Sequence, residues 1–230
     1  MTQIKNSNSQ SGNAFFIVML GVVLFGALMF TFSRGARQGN DNLSSKQAEI
    51  AATDIISYAQ LVERGVSRVY SKGFSESNIS FENNLASGYT NVSCTTNRCR
   101  VFEPSGGAIP YRRLQDSWSS STSDWIFTGH NQVLSIGTNC AAASCSELMM
   151  MIEDVPEPVC MAINEKLGVT AADTSPPDDN GVDTDPYLGS FAYDANADIG
   201  DENAALDGER TGCLFETGNV NYFYHTLLER

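Results

Sequence analysis

Residues Ala14 to Phe32, AFFIVMLGVVLFGALMFTF, constrain this chain more than any other stretch, because they contain neither a charge nor a proline. A helix rises about 1.5 Å per residue, so a run of this length spans roughly the ~30 Å hydrocarbon core of a bilayer. The run is longer than the ~7–15-residue apolar region of a cleaved secretory signal, and no small-x-small cleavage site follows it. A helix buried in a globular core normally keeps a polar side, and this sequence has none. The reading is a single membrane-spanning helix over residues 14–33. A polar leader, residues 1–13, precedes it. A glycine-containing hinge or linker, residues 34–43 (RGARQGNDNL), follows.

The remainder, residues 44–230, is long enough for one domain with a core of its own. The net charge of −13 is unevenly placed: between Glu147 and Glu209 sixteen acidic residues face one basic residue, Lys166. Nucleic-acid backbones are bound by clustered Lys and Arg, so a nucleic-acid partner is excluded. All six cysteines follow the apolar run, at Cys94, Cys99, Cys140, Cys145, Cys160 and Cys213. An even count in an extracytoplasmic domain points to disulfides. Cys94 with Cys99 and Cys140 with Cys145 are natural local pairs, each with four residues between, which leaves Cys160 with Cys213. Zinc is disfavoured, since the spacing is not CxxC and no histidine adjoins. Lys5 lies before the apolar run and Arg34, Arg37 and Lys46 after it, so positive charge alone slightly favours the opposite orientation. The cysteines and the short leader decide the expectation: a single-pass inner-membrane protein with a cytoplasmic N-terminus and an extracytoplasmic (periplasmic or surface) head.

Ser44 and Gln47 form a capping box for an amphipathic helix reaching about Lys72, with Gly73 as its stop. Ala52, Ile55, Ala59, Val62, Val66 and Val69 recur at spacings of three and four and make one apolar seam. Packing of the seam on the domain's own sheet is the favoured reading, and packing on neighbouring subunits the sharper one. Strand character appears at Ile79–Phe81, Tyr89–Cys94, Arg98–Glu103 and Ala108–Arg112. Trp125–Thr128 and Gln132–Ile136 suggest a hairpin around Gly129, and a serine-rich loop separates Trp118 from Trp125. Helices are predicted at Ser146–Glu153 and Glu157–Leu167, the second closed by Gly168. Residues 170–210 show little periodicity. Gly212–Thr217 and Val220–Leu228 read as a closing hairpin. The predicted fold class is α+β: an N-terminal transmembrane helix, then a long amphipathic helix packed on a β-rich, disulfide-bearing head domain.

This order of parts resembles type IV pilins and the related pseudopilins of secretion systems. Gly12 before Asn13-Ala-Phe-Phe-Ile-Val-Met-Leu is similar to the junction cut by a prepilin peptidase in that family. The resemblance makes Gly12 and Asn13 a processing site and implies that the apolar helices bundle into the core of a filament. Asn13 stands where the family usually has a hydrophobic or methylatable residue. Ile17 stands where it usually has glutamate, which some minor, tip-located pseudopilins also lack.

Asp194, Asn196, Asp198 and Asp201 place oxygen donors at near-alternating positions, as at the start of a calcium loop. Ile199 stands where an EF-hand needs glycine and Ala205 where it needs glutamate. Asp178-Asp-Asn-Gly181-Val-Asp183-Thr-Asp185 is a second calcium-compatible run. Asp/Asn/Gly runs are commonly plain turns, so a solvated acidic loop is the favoured reading, with calcium the alternative and no other cofactor expected. Calcium in head loops is also a trait of secretion pseudopilins, which the resemblance brings with it. His130 and His225 lie in no catalytic motif, and no enzyme activity is expected. The functional expectation is a structural subunit of a pilus-like or pseudopilus-like filament. It would be anchored in the membrane by its apolar helix and would self-associate, or join related pilin-like subunits, through that helix. The alternative is a membrane-tethered binding module that recognises a glycan or protein through the tryptophan loop and the acidic face.

Overall fold

A computed structural model describes residues 12–230 apart from 120–123, 139–144 and 195, with side chains at 12–15 and 25–44 also outside the description. The chain divides into two units, residues 1–46 and 47–230.

Helix α1, Gly12–Ser71, runs 60 residues, and the stretch read as a hinge, residues 34–43, is helical. The transmembrane assignment is corrected: among the described residues no helix is long and apolar enough to cross a membrane. The inner-membrane, single-pass localisation rested on that span and is corrected with it. Gly12 and Asn13 open α1, and residues 1–11 lie outside the described residues.

The folded unit, residues 47–230, is built on a four-stranded antiparallel sheet of order β1-β3-β6-β5, with β1 Ile126–Thr128, β3 Leu148–Ile152, β5 Thr211–Glu216 and β6 Val220–Leu228. Two short strands, β2 Gln132–Val133 and β4 Asp198–Ile199, pair in parallel beside it. The helix predicted at Ser146–Glu153 is instead strand β3, every residue of which is buried. LMMMI is too short a run for its period to separate helix from strand. It forms a strand because it pairs on both edges and is covered on both faces, so no polar position is needed. The predicted hairpin around Gly129 is absent: β1 pairs with β3 and β2 with β4. The strands expected at 79–81, 89–94, 98–103 and 108–112 are not formed: these segments are mostly irregular chain with a 3-10 turn at Asn97–Cys99, joined by a Ser80–Arg100 bridge and by Ile109 N–H donating to the Val101 carbonyl.

Side chains alternate between the two faces of the sheet. Phe127, Leu148, Met150, Ile152, Cys213 and Phe223 point to one face, where they share a core with the α1 seam (Ala52, Ile55, Ala59, Val62, Val66, Val69) and helix α2, Glu157–Leu167. Ile126, Met149, Met151, Leu214, Tyr222 and Tyr224 point to the other, covered by Val133, Ile136, Ile199 and Leu206. The second layer thus comes largely from the acidic, aperiodic stretch. Trp118 and Trp125 are buried in the first layer, 6.0 Å apart between ring centroids, with the Trp125 indole N–H donating to the Arg112 carbonyl.

Both sheet edges are covered, as edge strands must be to avoid pairing with other chains. On β5, Asn164 of α2 exchanges two hydrogen bonds with the Cys213 backbone (2.7 and 2.9 Å) beside the Cys160–Cys213 disulfide, whose Cα atoms lie 5.3 Å apart. Further along, Phe215 N–H donates to the Pro177 carbonyl and Asp179 N–H to the Phe215 carbonyl. On β1, the Tyr89 hydroxyl accepts from Phe127 N–H, and Tyr187 N–H donates to the Phe127 carbonyl. Cys94 is bridged to Cys99, with Cα atoms 5.7 Å apart. Cys145 is disulfide-bonded, and Cys140 lies outside the described residues.

Candidate functional site

The bond from Asp179 N–H to the rim of β5 fixes where that residue enters the fold. Its side chain turns inward and is fully buried. Oδ2 accepts the Gly200 backbone N–H at 2.8 Å, just past β4. Asp201 and Glu202 follow Gly200, so the β4 exit brings two exposed carboxylates up to the buried one. Oxygens of Asp179, Asp201 and Glu202 all lie within 4.8 Å of one another. Asp179 Oδ1 is buried and has no hydrogen-bond partner.

Burial, reinforced by Glu202 and Asp201, pushes the Asp179 carboxyl up to about 7 against the opposing Gly200 N–H. Burial and then Glu202 push Asp201 up to about 6. Glu202 is held below the usual carboxylate range, chiefly by its hydrogen bond with Asp201. Three crowded carboxylates cannot all ionise without compensation, so the cradle holds a proton or attracts a cation.

Two residues of the sequence-predicted calcium set have hydrogen bonds of their own. Asp194 Oδ1 accepts from its own turn, from Asn196 N–H and Nδ2 at 3.0 Å each. Asp198 accepts from the Tyr193 hydroxyl at 3.0 Å and from Gln132 Nε2 at 3.3 Å. Only Asp201 of that set belongs to the cluster. Asp179 came from the second acidic run, and Glu202 adjoined the first. Their meeting depends on chain 21 positions apart, Asp179 and Gly200, returning to one strand edge, which no local pattern encodes.

Each histidine has a carboxylate neighbour. His130 Nδ1 lies 3.2 Å from Asp183 and 4.0 Å from the exposed Asp185. His225, nearly buried on β6, lies between the Thr211 hydroxyl (2.6 Å from Nδ1) and Glu63 of α1 (3.3 Å from Nε2). Arg210 pairs with both Glu63 and Glu229, at 3.0 and 2.7 Å. These residues line a cleft of about 350 Å³ with Gln60, Arg64 and Ser67. The His225 hydrogen bond holds the Glu63 carboxyl below its ordinary range. Hydroxyl, imidazole and carboxylate follow the order of a nucleophilic triad. Here Glu63 and Arg210 offset one another, and the chain of contacts ties α1 to β5 and β6.

Phe16, Ile17, Val18, Met19, Leu20, Val22, Val23 and Leu24 are all exposed on α1, each by more than half of its surface. Comparison with family models, with curated proteins and with solved structures gives no significant match.

Proposed function

We propose that this chain is a structural subunit that assembles through the Phe16–Leu24 segment of α1 into a pilus-like or pseudopilus-like filament, with residues 47–230 as the folded domain contributed by each copy. One observation carries the reading: nine consecutive helical positions, eight of them large and apolar and the ninth Gly21, exposed with no polar side. Burying a large apolar side chain contributes about 1.5–3 kcal/mol, so the segment represents on the order of 10–20 kcal/mol of gross burial energy per copy, set against the cost of association. A single coiled-coil partner would cover one stripe only. An apolar surface on all sides calls for several neighbours, and the simplest source of matching helices is further copies of the chain. The glycan-binding alternative loses its main support, because Trp118 and Trp125 lie in the core.

The test is chemical cross-linking and sedimentation of the full chain at micromolar concentration. Ladders beyond the dimer are expected from the natural sequence, and monomers from the double variant Leu20→Glu/Val23→Glu with an unchanged unfolding temperature. A natural chain that stays monomeric throughout would sink the proposal.

A further inference from the structure

We propose that the outer side of α1 around Arg64 docks onto the acidic cover of a second copy of this chain, at Asp201 and Glu202, so that folded domains stack head to tail. The occupant, a further copy, rests on the filament reading, and the contact is separate from the Phe16–Leu24 segment. Charge carries it first. Residues 64–113 hold seven Lys and Arg against three acidic residues, whereas residues 147–209 hold sixteen acidic residues against Lys166. Arg64, Arg68, Lys72, Arg98 and Arg112 enter no ion pair among the described residues. In the acidic chain from Asp178 to Glu202, the described ion pairs are those of Asp183 and Asp185 with His130. Two surfaces of opposite sign are thus left unmatched within one molecule. They flank the sheet on opposite sides, since α1 covers its first face and the chain through Ile199 and Leu206 its second.

Shape carries it second. Gln60, Arg64 and Ser67 follow one another at spacings of four and three on the exposed side of α1, away from the apolar seam. They form one wall of the cleft of about 350 Å³ whose other wall holds Arg210 and Thr211. Arg210 is already held by Glu63 and Glu229, so Arg64 is the guanidinium in this cleft with no described acidic partner. The amide of Gln60 and the hydroxyl of Ser67 stand beside it as further donors to an incoming carboxylate. Asp201 and Glu202 are both exposed in the turn that follows β4. Because the two surfaces are different patches, docking one copy leaves an unfilled patch at each end. Such a heterologous contact extends into an open assembly, whereas a two-fold dimer needs one patch that complements itself. Exposed charge pairs are individually weak and screened by salt, so this contact steers and registers the next copy.

The experiment uses the full chain carrying Leu20→Glu/Val23→Glu, which removes the apolar contact and leaves the charged one. Sedimentation equilibrium is run at ~0.3 mM protein, where a contact with a Kd of about 0.1 mM is largely formed. It is run in about 0.1 M NaCl, where charges act over ~10 Å, and in about 1 M NaCl, where they act over ~3 Å. An average mass of roughly twice the monomer or more is expected at low salt, and the monomer at high salt. Adding Arg64→Glu, or adding Asp201→Lys/Glu202→Lys, should return the low-salt mass to the monomer in each case. An equimolar mixture of those two proteins should restore the higher mass, because each supplies the surface the other lacks. No folding defect produces that restoration. A monomer at low salt before any charge is changed, a mass indifferent to salt, or a mixture that stays monomeric overturns the proposal. Any of these leaves the ladders of the natural chain untouched, and loss of those ladders with this association retained removes the filament reading alone.

Discussion

The two faces of the sheet bury similar side chains under different kinds of cover. Over the first lie two helices, whose apolar residues recur at the helical period and pack as continuous stripes. Over the second lies irregular acidic chain that contributes isolated apolar anchors such as Ile199 and Leu206. A helix satisfies its own backbone, so its cover needs only apolar contact. Irregular chain must find a partner for each buried N–H and carbonyl. Glu216 therefore accepts from Gly181 N–H and Val182 N–H at 3.0 and 3.2 Å, and Asp179 from Gly200 N–H. The first face depends on apolar volume and the second on individual polar contacts and backbone fit.

The sharpest break of the first cover is Val62→Asp. Val62 is fully buried in the α1 seam. A carboxylate there has no cation to meet, and the expected loss is about 4 kcal/mol or more, read by urea unfolding of the full chain. Stability within about 1 kcal/mol of the natural chain would mean that the seam does not carry the domain.

Gly181→Ala is the matching break of the second cover. Gly181 has φ +81°, and a Cβ there would collide with the Asn196 carbonyl oxygen. Backbone, unlike a side-chain tip, cannot swing aside. The expected cost is about 3 kcal/mol, from left-handed strain and displacement of the 194–199 chain. A smaller loss than from Gly168→Ala, where φ is +79° but nothing lies within 4 Å, would show that the second cover yields rather than fits.

The same contrast explains what the sequence disclosed. Helix α2, its Gly168 cap, the α1 seam and the β5–β6 hairpin were legible because each is coded locally, by a 3.6-residue period, a left-handed glycine or a short turn. Strand β3 was not, because five apolar residues in a row carry no period. The segments 79–81, 89–94, 98–103 and 108–112 looked extended but found side-chain and turn partners instead of strands. Asn91, for example, holds the Ser77 and Ile79 carbonyls. The apolar run 14–32 was legible as apolar and not as to what covers it, because apolar surface does not distinguish lipid from protein. Of the candidate site, the acidity was visible. The choice of Asp179 and Glu202 over Asp194 and Asp198 was not, since it depends on which carboxylate the β5 edge draws inward.

A third prediction concerns a polar group buried near the second face. Glu147 is fully buried immediately before β3. Its Oε2 accepts Val133 N–H at 2.9 Å, and Oε1 has no partner. Burial pushes its carboxyl up to about 7. The unfolded chain releases this proton near the ordinary value of about 4.5, whereas the folded chain holds it to about 7, so the folded state binds more protons between those values. Stability attributable to Glu147 therefore falls as pH rises through that window and stays low above it. Glu147→Gln keeps an acceptor for Val133 and removes the titration. It should match the natural chain near pH 4.5 and exceed it by on the order of 2 kcal/mol at pH 8 in urea unfolding. A difference that does not change with pH would mean that the carboxyl titrates as it does in water.

The smallest expected effect tests whether the cleft at His225 belongs with the polar fastenings. Glu63 is partly exposed, and its pairs with His225 and Arg210 join the helix cover to β5 and β6. Solvent screens such pairs, so Glu63→Gln should cost only about 0.5–1 kcal/mol. The Glu63 carboxyl is held below its ordinary range in the folded state, so its contribution is present above about pH 4.5 and lost as pH falls through the lower, folded value. The difference between natural chain and variant should therefore shrink on acidification, opposite in sense to Glu147. Labelling separates fastening from reactivity: a hydroxyl activated by His225 would react with a fluorophosphonate probe at Thr211, and Glu63→Gln would suppress the labelling. A structural fastening gives no labelling in either protein while the small, acid-sensitive stability difference remains.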